Sequence, residues 1–196
     1  MRDSGCRSLF IGFESIHPES IAAVHKVQNG AERYERAVEE IHKRGIMINA
    51  SFVFGLDGDT RETFRATLDW IVKHRIETVT SHILTPYPGT VLYERLRAEG
   101  RILTDDLSRY NTAHVVFRPW NLTEKELYDG YLWIYKQIYS LKNIGRRMPR
   151  SRGQRSAYLM FNLFYRKYGR PTDLLCKGIS YRRIGWIAEK VTRYIK

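Results

Sequence analysis

Apolar residues recur along this chain in two rhythms that alternate. Residues 8–14 (Ser-Leu-Phe-Ile-Gly-Phe-Glu) form a short apolar run ending in a carboxylate, and residues 46–54 (Ile-Met-Ile-Asn-Ala-Ser-Phe-Val-Phe) form a longer one that stops at Gly55. Runs of this length read as buried strands. Between them, residues 31–44 place Tyr34, Ala37, Val38 and Ile41 on one helical face, with Glu39–Lys43 and Glu40–Arg44 spaced as ion pairs on the other. Gly45 is placed to stop that helix. The unit then repeats. Asp59 is the expected N-cap and Glu62 its capping-box partner, Phe64, Leu68, Ile71 and Val72 share a face, and the helix ends near His74. A third strand over 78–84 follows, with β-branched Thr78, Val79, Thr80 and Ile83 suited to a sheet interior.

Strands separated by amphipathic helices imply right-handed parallel crossovers, hence an α/β sheet or part of a β/α barrel. Three strands are too few to close a barrel of about eight. The pattern therefore predicts an architecture entered part-way, with either truncation or a partner chain accounting for a free edge rich in Leu, Phe and Ile. Beyond the third strand, Thr85-Pro-Tyr-Pro-Gly-Thr90 predicts a stiff turn, 91–99 a short helix, and 110–119 an irregular stretch. Thr123 and Glu126 form a second capping box, opening a helix with Leu127, Tyr131, Ile134, Tyr135 and Ile138 on one face. A basic linker over 146–155 ends it. Two further helices are expected, one with Leu159, Met160, Leu163 and Phe164 as a broad apolar face, the other with Ile184, Ile187, Val191 and Ile195 in register.

Composition narrows the class without naming a function. The 196 residues are 43% hydrophobic and 13% aromatic with six prolines, which excludes disorder and predicts a real core. The N-terminus lacks the pattern of a secretory signal, and the longest apolar stretch, 157–165, is well short of a membrane span, so a cytoplasmic protein is expected. Cys6 and Cys176 are too far apart for a local metal or redox motif and are read as small buried side chains; no metal ligands are assigned. Charge changes the picture more. Residues 144–196 hold 14 Lys or Arg against Asp173 and Glu189 and so carry the entire net charge of +12, while the segment before them is formally neutral. A boundary is placed near residue 145.

Three segments stand in a specific order and spacing: Phe-Ile-Gly-Phe-Glu-Ser (10–15), Phe-Val-Phe-Gly-Leu-Asp-Gly-Asp-Thr (52–60) and Leu-Thr-Pro-Tyr-Pro-Gly-Thr (84–90). Together they resemble strands four, five and six of the radical S-adenosylmethionine barrel, most closely its cobalamin-binding members with an extra C-terminal domain. The resemblance covers roughly residues 1–145. It implies an α/β fold in which residues 1–100 are the second half of the barrel, 101–145 a cap and long helix, and 146–196 a basic, mostly helical tail.

At the C-terminal ends of parallel strands, polar residues face the ligand. Glu14 stands at such an end, where a carboxylate accepts hydrogen bonds from a ribose diol or an ammonium group; an exposed acid opening a loop is the plain alternative. The resemblance further implies cofactor contacts at Lys26, Ser51, Phe54 and Gly55. Lys26 follows a short helix begun by Pro18 and would approach the carboxylate of S-adenosylmethionine, Ser51 its ribose, and Phe54 with Gly55 its adenine. A solvated lysine, a backbone-bonded serine and an ordinary strand end with a turn glycine read those same residues structurally. Asp57 departs from the proline many relatives carry. His82 and Tyr87 are assigned to the substrate side, against a structural reading of a histidine on a buried strand.

An open [4Fe–4S] cluster needs three thiolates, supplied in this family by a CxxxCxxC loop. No such triplet occurs here, and no cobalamin-binding domain is recognisable. The chain is therefore expected to be a C-terminal portion of a cobalamin-dependent methylase-like enzyme acting on a lipid or tetrapyrrole, inactive alone, whose cluster and cobalamin domains lie in a separate or missing N-terminal half. The competing expectation is a non-catalytic remnant or binding module. Its basic tail, with Tyr158, Phe161, Phe164, Tyr165, Tyr168, Tyr181 and Trp186, suits an anionic membrane surface more than nucleic acid, for which no motif accompanies the charge.

Overall fold

A computed structural model describes residues 1–17, 20 and 31–178, with side chains through residue 166 except at 31 and 32. The helix begun by Pro18, Lys26, the side chain of Cys176 and the second tail helix lie outside the described residues. Strands β1 (Ser8–Glu14), β2 (Met47–Phe54) and β3 (Thr78–Ile83) alternate with helices α1 (Ala31–Lys43) and α2 (Arg61–Lys73). The sheet is parallel throughout, in the order β1-β2-β3. The α/β alternation expected from the hydrophobic rhythm is thus present, with boundaries displaced by a residue or so.

Alternation along each strand sends Phe13, Ile48, Ala50, Phe52, Phe54, Val79 and Ile83 to the face covered by helices, where they are buried with Val38, Phe64, Leu68 and Ile71. Phe13 is the hub of an aromatic cluster, edge-on to Tyr34 at 4.9 Å and within 6 Å of Phe52 and Trp70. The other face carries Phe10 and Gly12 of β1, Asn49, Ser51 and Val53 of β2, and Thr80 and His82 of β3, so apart from Phe10 and Val53 it is small or polar where its counterpart is apolar. Phe10 is 67% exposed there.

Several local expectations are corrected. Ala37 is exposed, because α1 buries a narrower stripe centred on Tyr34 and Val38. Glu40 takes both neighbouring cations, Arg44 at 2.7 Å and Lys43 at 2.9 Å, leaving no Glu39–Lys43 pair. Thr60, not Asp59, caps α2, its N–H donating to Thr63 Oγ1 at 3.0 Å, so Glu62 is not the box partner. Asp59 instead turns back into the β2–α2 connection, where its buried carboxylate accepts from Ser20 Oγ at 2.7 Å and from the N–H groups of Gly55 and Leu56 at 2.8 and 3.1 Å. Cys6 is half-buried rather than buried.

The rest of the chain closes one edge of the sheet. Helix α3 (Val91–Ala98), capped by Thr90, leads through an antiparallel bridge between Ile102 and Phe117 to α4 (Glu124–Ile138), whose Thr123/Glu126 box forms as expected. Helix α4 runs antiparallel to β3 along its outer edge. The hydroxyl of Tyr139 accepts from Val79 N–H and donates to Val79 C=O at 3.3 and 2.6 Å, and that of Tyr135 does the same for Ser81 at 3.2 and 3.3 Å. Four helical residues advance about 6 Å and two strand residues about 6.6 Å, so tyrosines four apart meet alternate strand residues. The edge is finished by Ile83 N–H donating to Thr112 C=O at 2.8 Å. On its other flank α4 packs on α2 through Gly130, where an added Cβ would collide with the Phe64 ring.

Helix α5 (Leu141–Arg146) and α6 (Arg155–Gly178) follow. Arg147, fully buried between them, donates to the carbonyls of Ile76, Glu77 and Ile138 and to Asn162 Oδ1, all at 2.6–3.0 Å. This staple fixes α6 at the end of the sheet where β3 begins. The face of α6 that packs is Tyr158 and Asn162, with Tyr165 stacked on Tyr139; of the expected apolar face Leu159 is half-buried while Met160, Leu163 and Phe164 are exposed. Among the described residues no helix is long and apolar enough to cross a membrane.

Candidate functional site

The open face of the sheet converges at the strands' C-terminal ends. β1 bulges after Gly12, which pairs with Ser51 while Glu14 pairs with Phe52. Bulges re-aim side chains. Glu14 completes the turn with φ of 64°, a left-handed conformation that costs a non-glycine residue on the order of 1 kcal/mol. The result is a carboxylate folded back over Gly12, whose lack of a side chain makes the room: a Cβ there would sit 2.6 Å from Glu14 Oε1. In the neighbouring strand Ser51 is buried beside Gly12 in register, and Thr80 lies opposite it on β3.

One step further along β3, His82 pairs with Val53 and places Nδ1 3.1 Å from Thr112 Oγ1. Burial pulls its pKa below the ordinary histidine value, opposed by the Glu14 carboxylate, whose charge reaches it across the face. The ring is therefore neutral at pH 7, with Nδ1 tied to Thr112. Thr112 itself has φ of 63°, so the two non-glycine residues that flank His82 are both held in left-handed backbone. Asn49 Oδ1, two residues before Ser51 on the same face, is buried with no hydrogen-bond partner. The face thus offers a carboxylate, hydroxyls, a neutral imidazole and an unmet amide oxygen.

Of the residues singled out in the sequence, Glu14, Ser51 and His82 are brought together. Phe54 is on the opposite face, stacked on Phe64 at 4.8 Å. Gly55 has φ of 102°, and the space beside its α-carbon is filled by Leu127 and Phe117, at 2.9 and 3.1 Å from an added Cβ. Tyr87 is exposed on the Pro86–Gly89 turn, its carbonyl accepting from Thr90 Oγ1 at 2.7 Å. Sequence reasoning missed Thr112, which sits in a stretch without periodicity, and the part played by Asp57. That carboxylate accepts from Arg95 at 3.0 Å and Arg101 at 2.9 Å, and its carbonyl accepts from Asn121 Nδ2 at 2.7 Å, tying the turn after β2 to the C-terminal layer.

The donor set suits part of a nucleoside ligand. A carboxylate and a buried hydroxyl on one face can hold a ribose diol or an ammonium group, and the orphaned Asn49 oxygen can accept one more donor. It does not suit an iron–sulfur cluster. The sequence has two cysteines, and among the described residues no group of three His, Cys, Asp or Glu is placed to hold a metal ion.

The family described as a domain of unknown function, DUF4070, matches residues 90–157, which run from the cap of α3 through α4 and α5 to the start of α6. Over 145 residues, 74% of this chain and 31% of the relative, the sequence is 35% identical to a bacteriochlorophyllide d C-12(1)-methyltransferase of Chlorobaculum tepidum. It is 33% identical over 106 residues, 54% of this chain and 20% of the relative, to a hopanoid C-2 methylase of Rhodopseudomonas palustris. An anaerobic magnesium-protoporphyrin IX monomethyl ester cyclase of Cereibacter sphaeroides is 28% identical over 159 residues, 81% of this chain and 26% of that protein. The chain spans about a third or less of the length of these relatives. Three motif-bearing strand ends on one parallel sheet, followed by a C-terminal layer shared with such relatives, have one reading: the chain belongs to the cobalamin-binding branch of the radical S-adenosylmethionine family.

Proposed function

We propose that this chain supplies the second half of a radical S-adenosylmethionine barrel, with its cap, to an enzyme that acts on an unactivated carbon of a tetrapyrrole or a polycyclic lipid. Methyl transfer is the favoured reaction, since most of the relatives named above are methylases of such molecules. The observation that carries the reading is the convergence of Glu14, Ser51 and His82 on the face opposite the helix-covered one, at the end of a parallel sheet where ligands bind. When bound, S-adenosylmethionine supplies a sulfonium whose carbon–sulfur bonds are the reactive ones. Glu14 would accept hydrogen bonds from its ribose or ammonium group and Ser51 from its ribose, Phe54 and Gly55 would contribute main chain only, and Lys26, outside the described residues, is assigned to its carboxylate. Neutral His82, anchored by Thr112, faces the substrate side. Tyr87, on the exposed turn, borders the substrate entrance.

Cluster chemistry belongs to cysteines that these 196 residues do not contain, and cobalamin to a domain they do not contain. Incubation with iron and sulfide is therefore expected to yield no iron–sulfur absorption. The cofactor site is tested by protein-observed NMR of the chain titrated with millimolar S-adenosylmethionine. Glu14→Gln is expected to weaken binding by about tenfold or more, the scale of a hydrogen bond to a charged group. A titration that perturbs neither Glu14, Ser51 nor His82 in the unmutated chain sinks the assignment.

A further inference from the structure

Helix α6 is inverted. The stripe it turns to the body of the protein is Tyr158 and Asn162, whose polar tips bond Ile144 C=O at 2.6 Å and Glu77 C=O at 3.0 Å. Met160 lies opposite that stripe at 63% exposed, with Leu163 and Phe161 to either side of it at 43% and 48%. A helix that docks through polar groups and leaves its hydrophobic stripe outward has that stripe available to something else. Exposed Arg150, Arg152 and Arg155 flank it, within the segment that carries the chain's whole positive excess.

We infer that the outward face of α6 docks on an anionic bilayer, the helix lying in the interface rather than crossing it. A second copy of the chain fits poorly, because pairing these faces would bring two strongly cationic segments together. A nucleic acid would use the cations but leave Met160 and Leu163 without partners, whereas a lipid surface satisfies both. Stable attachment takes an apolar insertion and a polybasic signal together, and α6 and its flanks have both. The docking is independent of the cofactor site and survives if that assignment fails.

Vesicle co-sedimentation of the full chain tests it, with phosphatidylcholine alone and with phosphatidylcholine:phosphatidylglycerol. Partitioning is expected to be at least about tenfold stronger on the anionic vesicles and to fall as salt rises. The Met160→Ser/Leu163→Ser variant is expected to partition at least about tenfold more weakly with an unchanged thermal melt, since neither side chain is in the core. Phe161→Ser serves as the second variant should that pair misfold. Binding that the serine variants leave intact, no binding to anionic vesicles, displacement of the chain from vesicles by an oligonucleotide, or a dimer that the serine variants dissolve would each overturn the inference.

Discussion

At the scale of single residues, the candidate site depends on where one glycine and one strained carboxylate stand. Gly12 has no left-handed φ, so its absence of a side chain is needed only for the Glu14 carboxylate that lies over it. Gly12→Ala should therefore leave the fold nearly as stable, within about 1 kcal/mol, because the flexible end of Glu14 can yield and the unfolded chain loses entropy. The same change should weaken S-adenosylmethionine binding by displacing that carboxylate. Unaltered binding in the alanine variant would detach Glu14 from the ligand. The strand pattern made Glu14 and Ser51 legible as candidates, since both fall at the end of an apolar run. It could not reveal the bulge that turns Glu14 back, nor Thr112, whose hydroxyl reaches His82 from thirty residues away.

At the scale of elements, α4 is what ends the sheet. Tyr139 is buried with its hydroxyl on Val79, and burial holds its pKa far above the usual phenol range, so it remains a neutral donor and acceptor. Tyr139→Phe strips partners from a buried N–H and a buried C=O and is expected to cost about 1–3 kcal/mol in denaturant unfolding. Tyr135→Phe, half-exposed, should cost less. The N-terminus of α4 gives a pH test. Glu126 accepts from Thr123 N–H and pairs with Arg61 of α2, which together hold its pKa at about 2, below the ordinary 4.5. A depressed carboxyl stabilises the fold above its unfolded value and loses that contribution as pH falls towards about 2. The melting-temperature gap between the parent chain and Glu126→Gln should be full near neutral pH and shrink steadily below the ordinary carboxyl range, with most of it gone as pH nears 2; a gap independent of pH would assign the effect to packing. The aromatic face of this helix was visible as periodicity, but whether its tyrosines faced a core or a strand edge was not.

At the scale of the whole molecule, Arg147 decides whether the C-terminal helix belongs to the domain. Its guanidinium joins the start of β3, the end of α4 and α6 through four acceptors, three of them main-chain carbonyls. Burial pulls its pKa below the usual arginine range, with Tyr158, Tyr139 and Glu77 opposing; the four acceptors offset the cost of burying the cation, while Nε is buried without a partner. Arg147→Met should lower the unfolding free energy by roughly 3 kcal/mol or more, since the buried acceptors are then left unmet. Limited proteolysis across 148–155 should speed up in parallel; cleavage at the parental rate would show that α6 is held by something else. In the sequence Arg147 was indistinguishable from its basic neighbours, because charge counting assigns every arginine to solvent.

The sequence by itself determined the order of strands and helices, the parallel α/β class, the second capping box and the family, because those rest on local periodicity and on motifs read along the chain. Tertiary structure alone decided which face α6 buries, the polar-tipped or the apolar one, how Asp59 and Asp57 are used, and that Phe54 and Gly55 turn away from the open face while Glu14, Ser51 and His82 gather on it. Each of those outcomes turns on a partner distant in sequence, and a pattern that sees only neighbours has no access to the free energy of such pairings.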